Sequence, residues 1–230
     1  MKHRIVSVVL VLVLFCAAAP AQAQEFSFDV NLGYFAPKSE DSRVDGDVLA
    51  INRGYLLFEF EDFAGFYGEA ALSMEISKYF EATVGFGGYQ RTVPTVYADE
   101  VHSDGREIEQ DLKLRNLPFT AVLKMFPLGQ RRAIQPYVGV GAAANFWRYS
   151  ETGEFIDYSD YSIFRESFVA TGTAFGPVGT IGVRGRVSPQ MDLGLEFRYH
   201  WAEGELNEDF LGDKLDLGGG TLMGTLKFRF

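Results

Sequence analysis

Apolar and polar residues alternate with a period of two through most of the chain, the pattern of strands with one apolar and one polar face. The last segment shows it best. From Thr221 onward, Leu222, Gly224, Leu226, Phe228 and Phe230 fall on one face, and Thr221, Met223, Thr225, Lys227 and Arg229 on the other. Seven earlier segments carry the same pattern: Phe26 to Phe35, Phe66 to Ile76, Phe80 to about Tyr97, Arg106 to Phe126, Ile134 to Tyr149, Phe168 to Val187, and Met191 to about Ala202. With Leu215 to Phe230 they predict eight strands. The fourth changes phase, because Leu112 and Leu114 are even while Leu117, Phe119, Ala121, Leu123 and Met125 are odd. A one-residue slip flips every side chain, so a bulge is expected near Asn116-Leu117-Pro118.

Connection lengths alternate too. The stretches Ala36 to Gly65, Asp99 to Asp104, Ser150 to Glu166 and Glu203 to Lys214 are long and polar, while Ser77 to Tyr79, Leu128 to Ala133 and Ser188 to Gln190 are tight. Short turns at one end and long loops at the other belong to membrane barrels rather than soluble ones. The expected fold is therefore all-β, an eight-stranded antiparallel up-and-down transmembrane β-barrel, with apolar faces toward lipid and polar faces toward the lumen. Phe26, Phe28, Phe80, Phe126, Phe228 and Phe230 would form one aromatic belt, and Tyr34, Phe146, Tyr199 and Trp201 the other. The apolar piece Tyr55 to Phe60 in the first connection suits either an extra strand or a packed loop.

Composition agrees: 47% hydrophobic, 15% aromatic and 25 glycines, with no later apolar run long enough for a transmembrane helix. The N-terminus reads differently. Lys2 and Arg4 precede the apolar run Ile5 to Ala19 and then Ala21-Gln22-Ala23, which predicts a secretory signal peptide over 1–23, cleaved after Ala23, and a barrel domain over 24–230. Cys16, the only cysteine, follows Phe15, which does not suit lipidation, and it leaves with the signal, so no disulfide is expected. The formal charge then moves from −10 to −12, because Lys2 and Arg4 are lost. So acidic a chain argues against nucleic acid as a partner.

The Pro136-Tyr137-Val138-Gly139-Val140-Gly141 run and the terminal Lys227-Phe228-Arg229-Phe230 resemble small eight-stranded outer-membrane barrels, the OmpW-like and OmpA-transmembrane-domain-like families. The resemblance implies a monomer anchored in the bacterial outer membrane, among its lipid and lipopolysaccharide. It also implies that Leu226, Phe228 and Phe230 form the assembly signal read by the barrel-assembly machinery, after escort by periplasmic chaperones. OmpW-like members are associated with small hydrophobic solutes and OmpA-like members with structural and interaction roles. No periplasmic domain of the OmpA kind is expected here.

Inward positions collect both signs of charge. Asp29, Glu75, Glu81, Lys124, Arg184, Arg186, Asp192, Glu196, Arg198, Lys227 and Arg229 fall in the halves nearest the termini and are expected to pair as one lumen network. Glu69, Arg91, Asp111, Lys113 and Arg115 are also placed inward, farther from the termini. An eight-stranded lumen is narrow enough for its own side chains to fill. The inward glycines Gly139, Gly141, Gly182 and Gly194 leave room for them. The expected role is a non-enzymatic barrel with a filled lumen and acidic surface loops. Its rivals are a narrow channel for small hydrophobic solutes and an acyl-chain-modifying enzyme of lipid A. The enzyme needs a Ser activated by a His, but His200 has no Ser two residues away and His102-Ser103 is a loop dipeptide. No cofactor is expected and no metal, since Asp41 to Asn52 departs from a calcium loop at Arg43 and lacks a closing Glu.

Overall fold

The computed structural model describes residues 25–230, so the expected signal peptide lies outside the described residues. Ten strands form: β1 (Phe26–Pro37), β2 (Gly65–Ser77), β3 (Phe80–Val101), β4 (Glu107–Met125), β5 (Ile134–Asp157), β6 (Ser162–Arg186), β7 (Met191–His200), β8 (Glu203–Glu205), β9 (Lys214–Asp216) and β10 (Gly219–Arg229). Eight close into a ring, β1-β10-β7-β6-β5-β4-β3-β2, each paired antiparallel with its neighbours in sequence, and β1 with β10 closes it. The small β8–β9 ribbon continues the β7–β10 pairing past the ring in the same register, with the Leu217 amide donating to the Ala202 carbonyl at 3.0 Å. At the closure Phe28 faces Phe228, and the Phe230 amide donates to the Phe26 carbonyl at 3.2 Å.

The barrel wall is uneven in height. A membrane strand needs about 9–11 residues; β1, β2, β7 and β10 run 10 to 13. By contrast β3 to β6 run 19 to 25. At about 3.3 Å per residue, β5 alone spans roughly 80 Å. The expected long loop Ser150 to Glu166 is thus mostly a continued hairpin, with Glu154 opposite Arg165 and only 158–161 between the strands. The reason lies in its side chains. Phe155 stacks on Phe164 and meets Phe168 edge-on, which holds the ladder together above the barrel.

No bulge interrupts β4. From Glu109 to Met125 its pairing keeps one register, with Phe86 opposite Phe119, Tyr89 opposite Asn116, and Leu117 opposite Phe146, and the ladder with β3 shifts only past Val96, far from Asn116. What changes is the polarity of the two faces. Odd residues of β4 face outward along its whole length, and they are apolar from Leu117 to Met125 but charged at Asp111, Lys113 and Arg115. Even residues face inward, and they pass from Lys124 and Thr120 to the buried Leu114, Leu112 and Ile108. Asp111, Lys113 and Arg115 therefore point out, contrary to the inward placement expected from sequence. Near the termini the outside is apolar, as lipid requires. Beyond Asn116 it is polar and the apolar side chains turn in, as water requires.

The interior at that far end is a hydrophobic core built partly from connections. Asp47 caps the short helix α1 (Val48–Asn52), accepting from the Ala50 amide at 3.1 Å, and Val48 and Leu49 are buried. A 3₁₀ turn, Phe60–Phe63, buries Phe60 and Phe63, and Tyr89 donates to the Phe63 carbonyl. Leu57 N–H donates to the Val96 carbonyl and Ala98 N–H to the Tyr55 carbonyl, both at 2.9 Å. Tyr55 to Phe60 is thus a packed loop that also pairs with the free edge of β3. From the other side come Phe210, Leu215 and Leu217, with Phe210 against the ring of Tyr149. Arg43 reaches Asp47, and Lys38 reaches Asp216 at 2.9 Å, tying the first and last connections to each other. We call this assembly the head.

Candidate functional site

Below the head, the lumen holds ionic side chains because β-strands alternate and the outward positions belong to lipid. One layer centres on Arg198, 1% exposed. Its guanidinium grips both oxygens of Glu69 from β2, one at 3.0 Å, and donates to Glu196 at 2.7 Å. Glu196 also accepts from Lys124 at 2.6 Å and from the Tyr137 hydroxyl at 2.9 Å. Glu69 takes further bonds from Asn31 at 2.9 Å and Tyr67 at 3.0 Å. The chain of contacts crosses the lumen from β2 through β7 to β4 and β5.

A second layer lies nearer the termini. Glu81 meets Arg184 at 3.0 Å and Lys227 at 2.8 Å, and Lys227 lies 3.7 Å from Asp29. Asp192 is surrounded by Arg184 at 3.7 Å, Arg186 at 3.6 Å and Arg229. The guanidinium of Arg184 also sits 4.6 Å from the ring centre of Phe126. That contact corrects an expectation: Phe126 turns inward and is fully buried against Arg184 and Tyr137, instead of joining a lipid-facing belt. Phe26, Phe28, Phe80 and Phe228 do face outward at this end.

Ten of the eleven residues expected in the lumen network are brought together by these contacts. Glu75 is not. It is half-buried, makes no ion pair among the described residues, and lines a mouth cavity of about 520 Å³ with Arg186, Arg229 and Phe230. Glu69 is the largest omission. Its inward face is legible from alternation, but it sits beyond the half of β2 that sequence reasoning assigned to the network. Tyr67 and Tyr137 were missed as ligands of the carboxylates. Glycine is the available signal: a Cβ on Gly182 would lie 2.4 Å from the Tyr137 ring, and one on Gly87 would lie 2.3 Å from the Tyr67 hydroxyl. Each glycine faces a phenol it makes room for. Arg91 is exposed at the rim and donates to the Asp62 carbonyl at 2.8 Å.

The expected assembly residues lie on the outward side of β10 and just past it, Phe228 partly exposed and Phe230 78% exposed. Of the histidines, His102 meets Glu154 at 2.9 Å, and His200 is buried beside the Arg198 layer.

A family model, the outer membrane protein beta-barrel domain, matches residues 7–230. The chain belongs to that family. Its barrel therefore sits in the outer membrane. Among solved structures, a major outer membrane protein from Thermus thermophilus is 13% identical, over 91% of this chain and 100% of its own, with a TM-score of 0.51. Neisserial surface protein A is 14% identical over 91% and 100% of the two chains, TM-score 0.48. Escherichia coli outer membrane protein W is 15% identical over 92% and 100%, TM-score 0.47. At such identities the likeness concerns the fold alone. No curated protein sequence matches.

Proposed function

We propose that this is a non-enzymatic, monomeric outer-membrane barrel with a sealed lumen, whose work is to hold a rigid acidic head at the cell surface. The observation that carries the reading is the Arg198 layer lying directly beneath the apolar core of the head. Arg198 bridges Glu69 and Glu196 across the lumen, and above it Trp147, Tyr149, Leu112 and Leu114 pack against the first and last connections. Breaking a buried pair by removing one partner costs about 3–5 kcal/mol, so the layer resists opening. A channel for hydrophobic solutes needs an apolar tunnel, and here the apolar side chains of the upper barrel are spent on each other. The partners that suit the reading are lipid and lipopolysaccharide around the wall, and the assembly machinery and chaperones at the terminal Phe230, after export on a cleaved signal over 1–23.

Planar-bilayer recording of the refolded barrel tests it. Silence, or rare small events, is the expected result. Large and steady conductance from the wild-type chain overturns the sealed-lumen reading and favours a channel.

A further inference from the structure

Among the described residues, the head holds one buried acid that no cation meets. Glu151 stands on β5 above the membrane boundary, with 7% of its surface exposed. The Tyr149 hydroxyl donates to its Oε1 at 2.8 Å, and Asn52 Nδ2 donates to the same oxygen. No donor reaches Oε2 among the described residues, and no Lys or Arg there comes within ion-pair distance. Burial raises the Glu151 carboxyl above the usual carboxylate range. Every other acid so deeply buried in the barrel, Glu69, Glu81, Asp192 and Glu196 among them, lies against Lys or Arg. A carboxylate taken out of water without a cation is costly. Glu151 keeps part of that cost, its Oε1 held by Tyr149 and Asn52 while Oε2 meets only solvent in the cleft.

It also lines a cleft. A cavity of about 400 Å³ opens between the β5–β6 tip, the first connection and the last, within the size range of small-molecule sites. Six of its lining residues carry rings: Tyr55, Tyr97, Phe155, Tyr158, Phe164 and Phe168. Asp209 adds a second, exposed carboxylate, and the lining includes no Lys or Arg. Aromatic faces attract cations, and a free carboxylate oxygen accepts strongly from an ammonium N–H. Neither feature serves an anion, and a purely apolar guest would leave Glu151 Oε2 without a partner.

We infer that this cleft binds a primary ammonium carried on an apolar or aromatic body, the ammonium donating to Glu151 Oε2 and the body lying among the rings. The inference gives the surface role proposed above a ligand. It rests on that reading for the folded head, though not for a silent lumen.

Calorimetric titration of the refolded full chain with phenethylammonium, and with the neutral phenethyl alcohol as its near-isostere, tests it. The ammonium should bind at least roughly tenfold more tightly than the alcohol. Glu151→Gln keeps the shape and should remove that preference, weakening the ammonium about tenfold and leaving the alcohol unchanged. Tyr158→Ala changes only the exposed rim and should weaken both probes several-fold, so it serves if Glu151→Gln does not fold. Absence of ammonium binding, equal affinity for the two probes, or unaltered affinities in the variants overturns the inference. A silent barrel that ignores ammonium sinks this inference alone, and a conducting barrel that binds it sinks only the sealed-lumen reading.

Discussion

Replacing Arg198 with methionine isolates the charge at the centre of the lumen, because methionine preserves much of the volume and none of the hydrogen bonds. Arg198 makes ion pairs with Glu69 and Glu196. The two carboxylates fare differently without it. Glu196 keeps Lys124 and Tyr137, whereas Glu69 keeps only the neutral donors Asn31 and Tyr67. The loss is therefore dominated by one orphaned buried acid, and the expected destabilisation is about 3–5 kcal/mol. Removing that acid as well should undo part of the damage. Arg198→Met with Glu69→Leu is expected to recover roughly 1–3 kcal/mol relative to Arg198→Met alone. Urea titration in micelles, followed by the fluorescence of Trp147 and Trp201, measures both through the midpoint and slope. The single variant should also show more frequent conductance events. A double variant no more stable than the single one would refute the reasoning, since the loss would then be one of packing and not of an unpaired charge.

Three further outcomes follow from other parts of the molecule. Deleting Phe230 should lower the fraction of heat-shifted, inserted barrel on unboiled gels, and unchanged insertion would remove the terminal aromatic from the assembly signal. Leu112→Ala cuts a fully buried side chain from the core of the head and should cost about 2–5 kcal/mol there, seen as faster proteolysis of the first connection on intact cells with the heat shift retained. Gly182→Val drives a side chain into the Tyr137 ring; it should destabilise the barrel in urea by more than about 1–3 kcal/mol, and a neutral effect would mean that the phenol is free to move.

The eight ring strands were legible in the sequence because lipid and lumen impose opposite polarities on alternate residues. The ends of the long strands were not. Beyond Asn116 and Tyr149 the outside is water, so alternation inverts in β4, and from Ser150 onward the outward residues of β5 become loop-like in composition. Both changes mimic the end of a strand or a bulge. Most of the lumen network was readable from face and sign alone, since a charge on an inward position in a narrow barrel has few places to go. Glu69 escaped because the expected network stopped at mid-strand, while a guanidinium on a long stem reaches the next level. Tyr67 and Tyr137 escaped because a phenol reads as apolar until its hydroxyl finds a carboxylate. Glu151 falls in the expected polar connection Ser150 to Glu166, and only the packing of Tyr149, Asn52 and the aromatic rings around it shows that it is buried.

On the sealed-lumen reading proposed above, the inversion of polarity lets one set of strands seal twice. Inside the membrane, ion pairs would close the lumen, attracting a passing ion yet leaving it no free counter-charge. Above the boundary the same strands enclose a core of apolar side chains, where an ion finds no counter-charge away from the Glu151 cleft. The two barriers rest on different physics and on different residues, Arg198 and Glu81 below, Leu112 and Phe63 above. Loosening the ionic layer therefore leaves the apolar one in place. That is why the Arg198 variants should show brief small events and not a steady current, and why a steady pore should require damage to the head as well as to the lumen.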